Sequence, residues 1–108
     1  MRMWMIPPVL LCRKHLLGCH VECHMLVGAI RKGRSIAGHL ARGQLEPQCV
    51  VEYHNSLANE MVRRGYNHNS PLNMIVSGIC GYVDTQKSID DLKARCADCR
   101  ALIDKALK

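Results

Sequence analysis

The clearest structural signal in this 108-residue chain is a helix pattern over residues 15–32. The stretch reads His-Leu-Leu-Gly-Cys-His-Val-Glu-Cys-His-Met-Leu-Val-Gly-Ala-Ile-Arg-Lys. Mostly apolar side chains recur there at three- and four-residue steps, the spacing of one face of an α-helix: Leu16, His20, Cys23, Val27 and Ile30. Cations followed by Gly33 are typical of a helix end, and Pro7-Pro8 of a helix start. The pattern predicts a first helix from Pro7 to Lys32.

Two further helices are predicted downstream. The second runs from about Glu46 to Arg64, where Gly65 stops it, and its apolar stripe is Val50, His54, Leu57 and Met61. The third begins at Ser88 as N-cap, with Asp91 in the position of a capping-box acid. Its stripe contains Ile89, Leu92, Cys96, Cys99, Ile103 and Ala106. Residues 35–42 add one or two helical turns, and residues 66–87 read as an irregular connection.

No segment alternates between apolar and polar residues, so the sequence predicts an all-α fold. We expect a compact bundle of three main helices with short extra helical turns and irregular connections. The length and the 48% hydrophobic content suit a single domain over residues 1–108. No apolar run could span a bilayer, and the N-terminal apolar run lacks a small-x-small cleavage site. We therefore expect a cytoplasmic monomer with reduced thiols and no membrane partner.

Positive charge is concentrated in the first 44 residues. That part carries seven Lys and Arg side chains and one acid, Glu22, whereas residues 45–108 carry eight charges of each sign. Such an excess attracts a polyanion or simply keeps a solvated face soluble, and the charge count leaves both open.

The seven cysteines and six histidines raise the question of a metal. Cys19 and Cys23 are one turn apart on the first helix, as are His20 and His24. The chain has one C-x-x-C, Cys96 and Cys99, and both lie on an apolar stripe, where free cysteine acts as a small hydrophobe. We therefore predict no metal and no cofactor. The alternative is a small zinc-binding protein that uses Cys80, Cys96, Cys99 and a histidine.

His15 and Glu22 are seven residues apart and so lie near the same face of the first helix. A carboxylate in such a position can act as a general acid or base. It can equally form an ordinary salt bridge with a neighbouring cation, and the spacing does not decide between the two.

Residues 15–32 resemble the catalytic helix of the pyrimidine-dimer DNA glycosylase/AP lyase family, the phage endonuclease V type. That helix also opens on His-Leu, has a Glu seven residues after the His, and closes on Gly-Ala-Val-Arg-Lys. Residues 61–67, Met-Val-Arg-Arg-Gly-Tyr-Asn, resemble the family's Leu-Lys-Arg-Gly-Phe-Asn. The resemblance covers roughly residues 1–72.

The resemblance implies an enzyme that binds damaged double-stranded DNA, flips out a base and attacks C1′ with its N-terminal amine. Met1 aligns with the nucleophile and Glu22 with the catalytic glutamate, so these are the expected catalytic residues. An α-amine is a weaker base than a lysine side chain, which leaves more of it neutral and nucleophilic. The expected DNA-binding residues are Arg2, Arg13, Lys14, His15, Arg31, Lys32, Arg34, Arg63 and Arg64.

This chain departs from the family at two positions beside Glu22. The family has arginines that touch DNA where this chain has Val21 and Met25, and its aromatic C-terminal tail has no counterpart after Tyr82. Because these DNA-contacting residues differ, the expectation that the lesion is a pyrimidine dimer comes from the resemblance to the family alone. The alternative function is a non-catalytic, basic helical DNA-binding module.

Overall fold

The chain folds around the long first helix that the sequence predicts. The computed structural model describes residues 1–73 and 78–106, and within them it has five α-helices and no β-strand. In chain order these are α1, Arg13–Arg31; α2, Ala37–Ala41; α3, Val50–Arg63; α4, Thr85–Arg95; and α5, Ala97–Ala106. The expected all-α fold class is confirmed. None of these helices is long and apolar enough to cross a membrane.

Helix α1 starts later than predicted. Pro7 and Pro8 do open a helical segment, but it is a short 3-10 turn, Pro8–Leu10, that ends at an extended Leu11. The chain then turns again at Cys12, the N-cap of α1. At its other end α1 stops as predicted, with Gly33 at a positive φ of 69°. The prolines permit a helix start, because first-turn amides have no partner within a helix, but the extended backbone of Leu11 ends the turn after three residues.

The core forms where α1 packs against α3. Both predicted stripes face this interface: Leu16, Cys23 and Val27 of α1 and Leu57 of α3 are almost fully buried. A buried aliphatic side chain of this size contributes about 1.5–3 kcal/mol relative to an exposed one. Tyr53 adds a polar anchor, because its hydroxyl donates to the Ile6 carbonyl at 2.8 Å. The two predicted faces therefore form the centre of the core, and the N-terminal segment and the C-terminal helices add further buried side chains such as Ile6 and Leu92.

The predicted third helix is in fact two helices. Asp84, rather than Ser88, is the N-cap, and its Oδ1 accepts from the Lys87 amide at 3.1 Å. Ser88 lies buried inside α4. The helix then breaks at Cys96, which is extended with φ −134° and ψ 110°, and α5 begins at the next residue. The apolar stripe continues through this break with the same spacing, which is why the periodicity predicted a single helix.

An arginine ties the 3-10 turn to the end of α3. Arg64 donates to the carbonyl oxygens of Pro8, at 3.2 Å, and Leu11, at 2.7 Å. It also binds Glu60 at 2.7 Å, and that carboxylate is 8% exposed. The pKa of Glu60 falls to about 2, mainly because Arg63 and then Arg64 donate to its carboxylate. The Arg64–Glu60 ion pair therefore holds in place the segment that leads into α1.

Candidate active site and DNA-binding surface

The N-terminal segment lies against the middle of α1. The backbone amide of Arg2 donates to the Glu22 carboxylate. One residue on, the amide of Met3 donates to the Gln44 carbonyl at 2.7 Å, and the Met3 side chain is almost fully buried. The chain terminus is therefore held one residue away from a carboxylate contact. Met1 itself packs, partly buried, against the core.

A small cleft lies beside this contact. It has a volume of about 170 Å³, and Glu22 lies on its wall together with Trp4, Lys14, His15, Gly18 and Cys19. His15 and Glu22 are thus on one cleft, as their seven-residue spacing predicts. Gly18 is exposed and has open space where a side chain would be. The cleft combines a carboxylate, an ammonium and an indole.

Burial changes the acidity of the groups around Glu22. It raises the pKa of the Cys19 and Cys23 thiols to about 12, with the charge of Glu22 adding to the effect. Burial, together with the positive charge of Lys14, lowers the pKa of His15. These thiols are therefore protonated and inert at neutral pH, and His15 is uncharged there. Among the residues that line the cleft, Glu22 supplies the one carboxylate.

Arg2 is engaged inside the protein. Its guanidinium lies 3.8 Å above the Trp4 ring, and its Nη2 donates to Asp91 of α4 at 3.0 Å. The arginine lowers the pKa of Asp91. Arg2 thus connects the N-terminal segment to α4.

The exposed cations are distributed at both ends of α1. Arg13 and Lys14 lie in its first turn, Arg31 and Lys32 at its end, and all four are exposed. Residues 13 and 31 are 18 positions apart, which is five complete helical turns and about 27 Å. The same spacing relates Lys14 to Lys32. Each pair therefore shares a side of the helix at a separation of about eight base-pair steps of duplex.

The other predicted DNA-binding residues divide into exposed and engaged side chains. Arg34 is exposed, and so is Arg63, although Arg63 binds Glu60. Arg64 is only 16% exposed and is occupied by Glu60 and backbone carbonyls. Val21 and Met25, which stand where the family has arginines, are each 54% exposed. The surface next to Glu22 is therefore partly apolar.

Four histidines converge where α1 meets α3. The His68 and His20 Nε2 atoms lie 2.9 Å apart, and the His54 ring lies 4.7 Å from the His20 ring and edge-to-face with the His24 ring. Burial and the neighbouring imidazoles lower the pKa of His20 to about 4. His54 is buried, and both its nitrogens lie about 3 Å from carbonyl oxygens, those of Asn55 and Ser70.

A second cluster joins two cysteine motifs. Cys12, His15, Cys96 and Cys99 bring their sulfur and nitrogen atoms within 4.8 Å of one another. Cys80, the cysteine that the zinc alternative paired with Cys96 and Cys99, is exposed and does not belong to this cluster. The sequence signal that identifies the correct group is the C-x-x-H of residues 12–15, which matches the spacing of the C-x-x-C at 96–99.

Sequence reasoning missed the residues that hold the terminus from other elements. Asp91 was assigned to a helix cap, yet it binds Arg2, and Gln44 was not singled out at all. Neither contact has a local signature, because the partners are 89 and 41 positions apart.

The pyrimidine dimer DNA glycosylase family matches residues 1–74, about two thirds of the chain. Neither the search of curated proteins nor the search of solved structures found a match to the chain. The matched range contains the N-terminal segment, α1 and α3, and hence Glu22 and its cleft. Because the match covers more than half of the chain and includes this site, the chain belongs to the pyrimidine dimer DNA glycosylase family.

Proposed function

We propose that the chain acts as a monomer on damaged double-stranded DNA, breaking one glycosidic bond of a pyrimidine dimer and then cleaving the strand as an AP lyase. The α-amine of Met1 is the proposed nucleophile and Glu22 the proposed acid/base group. Membership of the glycosylase family supports the first half of the reaction. The arrangement of the N-terminal segment supports the second.

The contact between the Arg2 amide and the Glu22 carboxylate carries the proposal. An amine can attack a sugar carbon only when a neighbouring group handles the protons that move during the reaction. Glu22 is the single acid among residues 1–44, and its carboxylate accepts from the residue that follows the amine. A structural salt bridge would instead engage a side-chain cation, and the Glu22 carboxylate has no such partner among the described residues.

The chemistry requires two groups, the Met1 amine and the Glu22 carboxylate that accepts from the next residue. The amine nitrogen forms a bond to C1′ while the glycosidic bond breaks and its electron pair leaves with the base. Loss of the amine proton and opening of the sugar ring give a protonated Schiff base. Removal of a C2′ proton then expels the 3′ phosphate by β-elimination, and water releases the enzyme. Glu22 is suited to accept and return these protons.

Exposed cations supply the proposed grip on the duplex. Arg13 and Lys14 at one end of α1 and Arg31 and Lys32 at the other are exposed, so they can neutralise phosphates of a bound duplex. Arg34 and Arg63 extend this set. The Arg2 and Arg64 side chains are only 18% and 16% exposed and are bound to carboxylates, so their proposed contribution is to hold the site rather than to bind phosphate.

Strand cleavage tests the proposal. The untagged protein is incubated with three duplexes of one sequence, which contain a cyclobutane pyrimidine dimer, an abasic site or no lesion. We expect nicking of the first two and none of the third. A protein that binds all three equally and cleaves none is the non-catalytic DNA-binding module. If only the abasic duplex were cleaved, the proposed AP-lyase activity would stand, and the proposed action on a pyrimidine dimer would be wrong.

A further inference from the structure

We infer that Cys12, His15, Cys96 and Cys99 form a structural zinc site that the family match does not assign. Two of the four residues lie beyond the matched range, which ends at residue 74. The site therefore joins the matched segment to the C-terminal part of the chain, which the family match does not cover.

The distances suit one four-coordinate ion. Zinc–sulfur bonds of about 2.3 Å in a tetrahedron put neighbouring sulfurs about 3.8 Å apart, and a sulfur and a nitrogen about 3.6 Å apart. The Cys12 and Cys96 sulfurs are 3.8 Å apart. The Nδ1 atom of His15 lies 3.2 Å from the Cys12 sulfur and 3.6 Å from the Cys99 sulfur. All seven cysteines are free thiols, so no disulfide explains this convergence.

The backbone is arranged for thiolates. Cys12 is the N-cap of α1 with His15 in the first turn, and Cys96 and Cys99 have the same relation to α5. Two helix N-termini therefore meet at the cluster, where their positive ends favour negative charge. The Cys12 amide donates to the Cys99 sulfur at 3.2 Å, and the Cys99 amide lies 3.4 Å from the Cys96 sulfur.

Core packing alone does not explain this cluster. A buried cysteine that only fills space needs no polar neighbours, yet here three sulfurs and a ring nitrogen face one another. Three cysteines and one histidine are a usual ligand set for structural zinc, whereas the histidine cluster of α1 and α3 offers no sulfur. The break between α4 and α5 also has a reason, because it brings Cys96 toward Cys12.

The ion would fasten the C-terminal helices to the start of α1. Helix α4 carries Asp91, which binds Arg2 next to the N-terminus. The zinc site would therefore also help to hold the N-terminal segment at the proposed active site. His15 belongs to both places, since it lines the Glu22 cleft. The zinc assignment stands on its own geometry and does not depend on the enzymatic activity.

Metal content of the native full chain tests the assignment. The untagged protein is produced in zinc-containing medium, purified by cation exchange without chelators and analysed by plasma mass spectrometry. We expect about one zinc per chain, released when an organomercurial blocks the thiols. Replacement by Co²⁺ should give the intense visible bands and the thiolate charge-transfer band of a tetrahedral sulfur site. These readouts use the unaltered chain, so they remain decisive if a variant fails to fold.

Matched variants locate the ion. Cys12→Ser and His15→Ala should lose zinc, whereas His15→Cys, which restores a fourth ligand, and the control Cys80→Ser should keep it. Native protein without zinc, iron in its place, or a Cys96–Cys99 disulfide would overturn the assignment. So would zinc that survives Cys12→Ser but is lost in His68→Gln, because that result would move the metal to the histidine cluster.

Discussion

At Glu22, a Gln substitution separates chemistry from structure. The Gln side chain retains an oxygen that can accept from the Arg2 amide, so the N-terminal segment should stay in position. It cannot exchange protons, and general acid/base groups typically contribute about 10²–10⁴-fold to a rate. We expect Glu22→Gln to reduce strand cleavage by about that factor while affinity for damaged duplex is kept or slightly increased. Gel-based cleavage and fluorescence anisotropy measure the two effects.

The control for this prediction is Glu52→Gln, which removes the same charge from an exposed position in the first turn of α3. It should leave cleavage unchanged. If Glu22→Gln also cleaved at the wild-type rate, Glu22 would be a structural residue and the proposed acid/base role would be wrong.

Single residues were predictable from the sequence only when their partners were local. The seven-residue spacing anticipated that His15 and Glu22 share a cleft, and it did so without any long-range information. The contact of Arg2 with Asp91 and the meeting of Cys12 with Cys99 join residues more than 80 positions apart. Such pairs depend on how helices pack, which hydrophobic spacing does not encode. The cysteines at 96 and 99 were therefore interpreted as core residues.

Between the 3-10 turn and α3, Arg64 should contribute more to the stability of the fold than its neighbour Arg63, although both bind Glu60. Arg64 is largely buried and holds the 3-10 turn, whereas Arg63 is 64% exposed. Removing the Arg64 side chain leaves the buried Glu60 carboxylate with one partner fewer and takes the arginine donor away from the Leu11 carbonyl. We expect Arg64→Ala to lower the free energy of unfolding by about 2 kcal/mol. Arg63→Ala, the matched control, should have a much smaller effect in urea denaturation, and equal effects would contradict this account.

The same carboxylate gives a pH dependence with a definite sign. The pKa of Glu60 is lowered to about 2 in the folded chain, from an ordinary value of 4.5. Its contribution to stability is therefore complete above about pH 4.5 and is lost as the pH falls toward 2. The difference in unfolding free energy between wild type and Glu60→Gln should shrink over that interval. A difference that stayed constant would show that the carboxylate charge does not stabilise the fold.

The element boundaries show which signals are reliable. The predicted ends of α1 and α3 are confirmed, since Gly33 and Gly65 adopt positive φ values of 69° and 85° that favour glycine. The predicted starts are less accurate, because prolines before α1 and α3 form separate 3-10 turns. The break at Cys96 has no glycine or proline to mark it.

For the whole molecule, the distribution of charge predicts salt-sensitive DNA binding. If four or five of the exposed cations neutralise phosphates, the logarithm of the binding constant should fall with the logarithm of salt at a slope of about −4. Lys32→Gln should weaken binding to every duplex alike and reduce this slope by about one unit. Arg100→Gln, which removes an equal charge from α5, is the control. A slope near zero in the wild type would exclude the proposed grip.

We expect the α-amine of Met1 to form a covalent bond with the sugar, and borohydride trapping detects that bond. Borohydride reduces a Schiff base to a stable amine, so the untagged protein should cross-link to an abasic duplex. Peptide mass spectrometry should locate the adduct on Met1. A chain extended by a few residues at its N-terminus, matched in fold and DNA affinity, should give no adduct. Equal trapping by the extended chain, or an adduct on a lysine, would contradict the account.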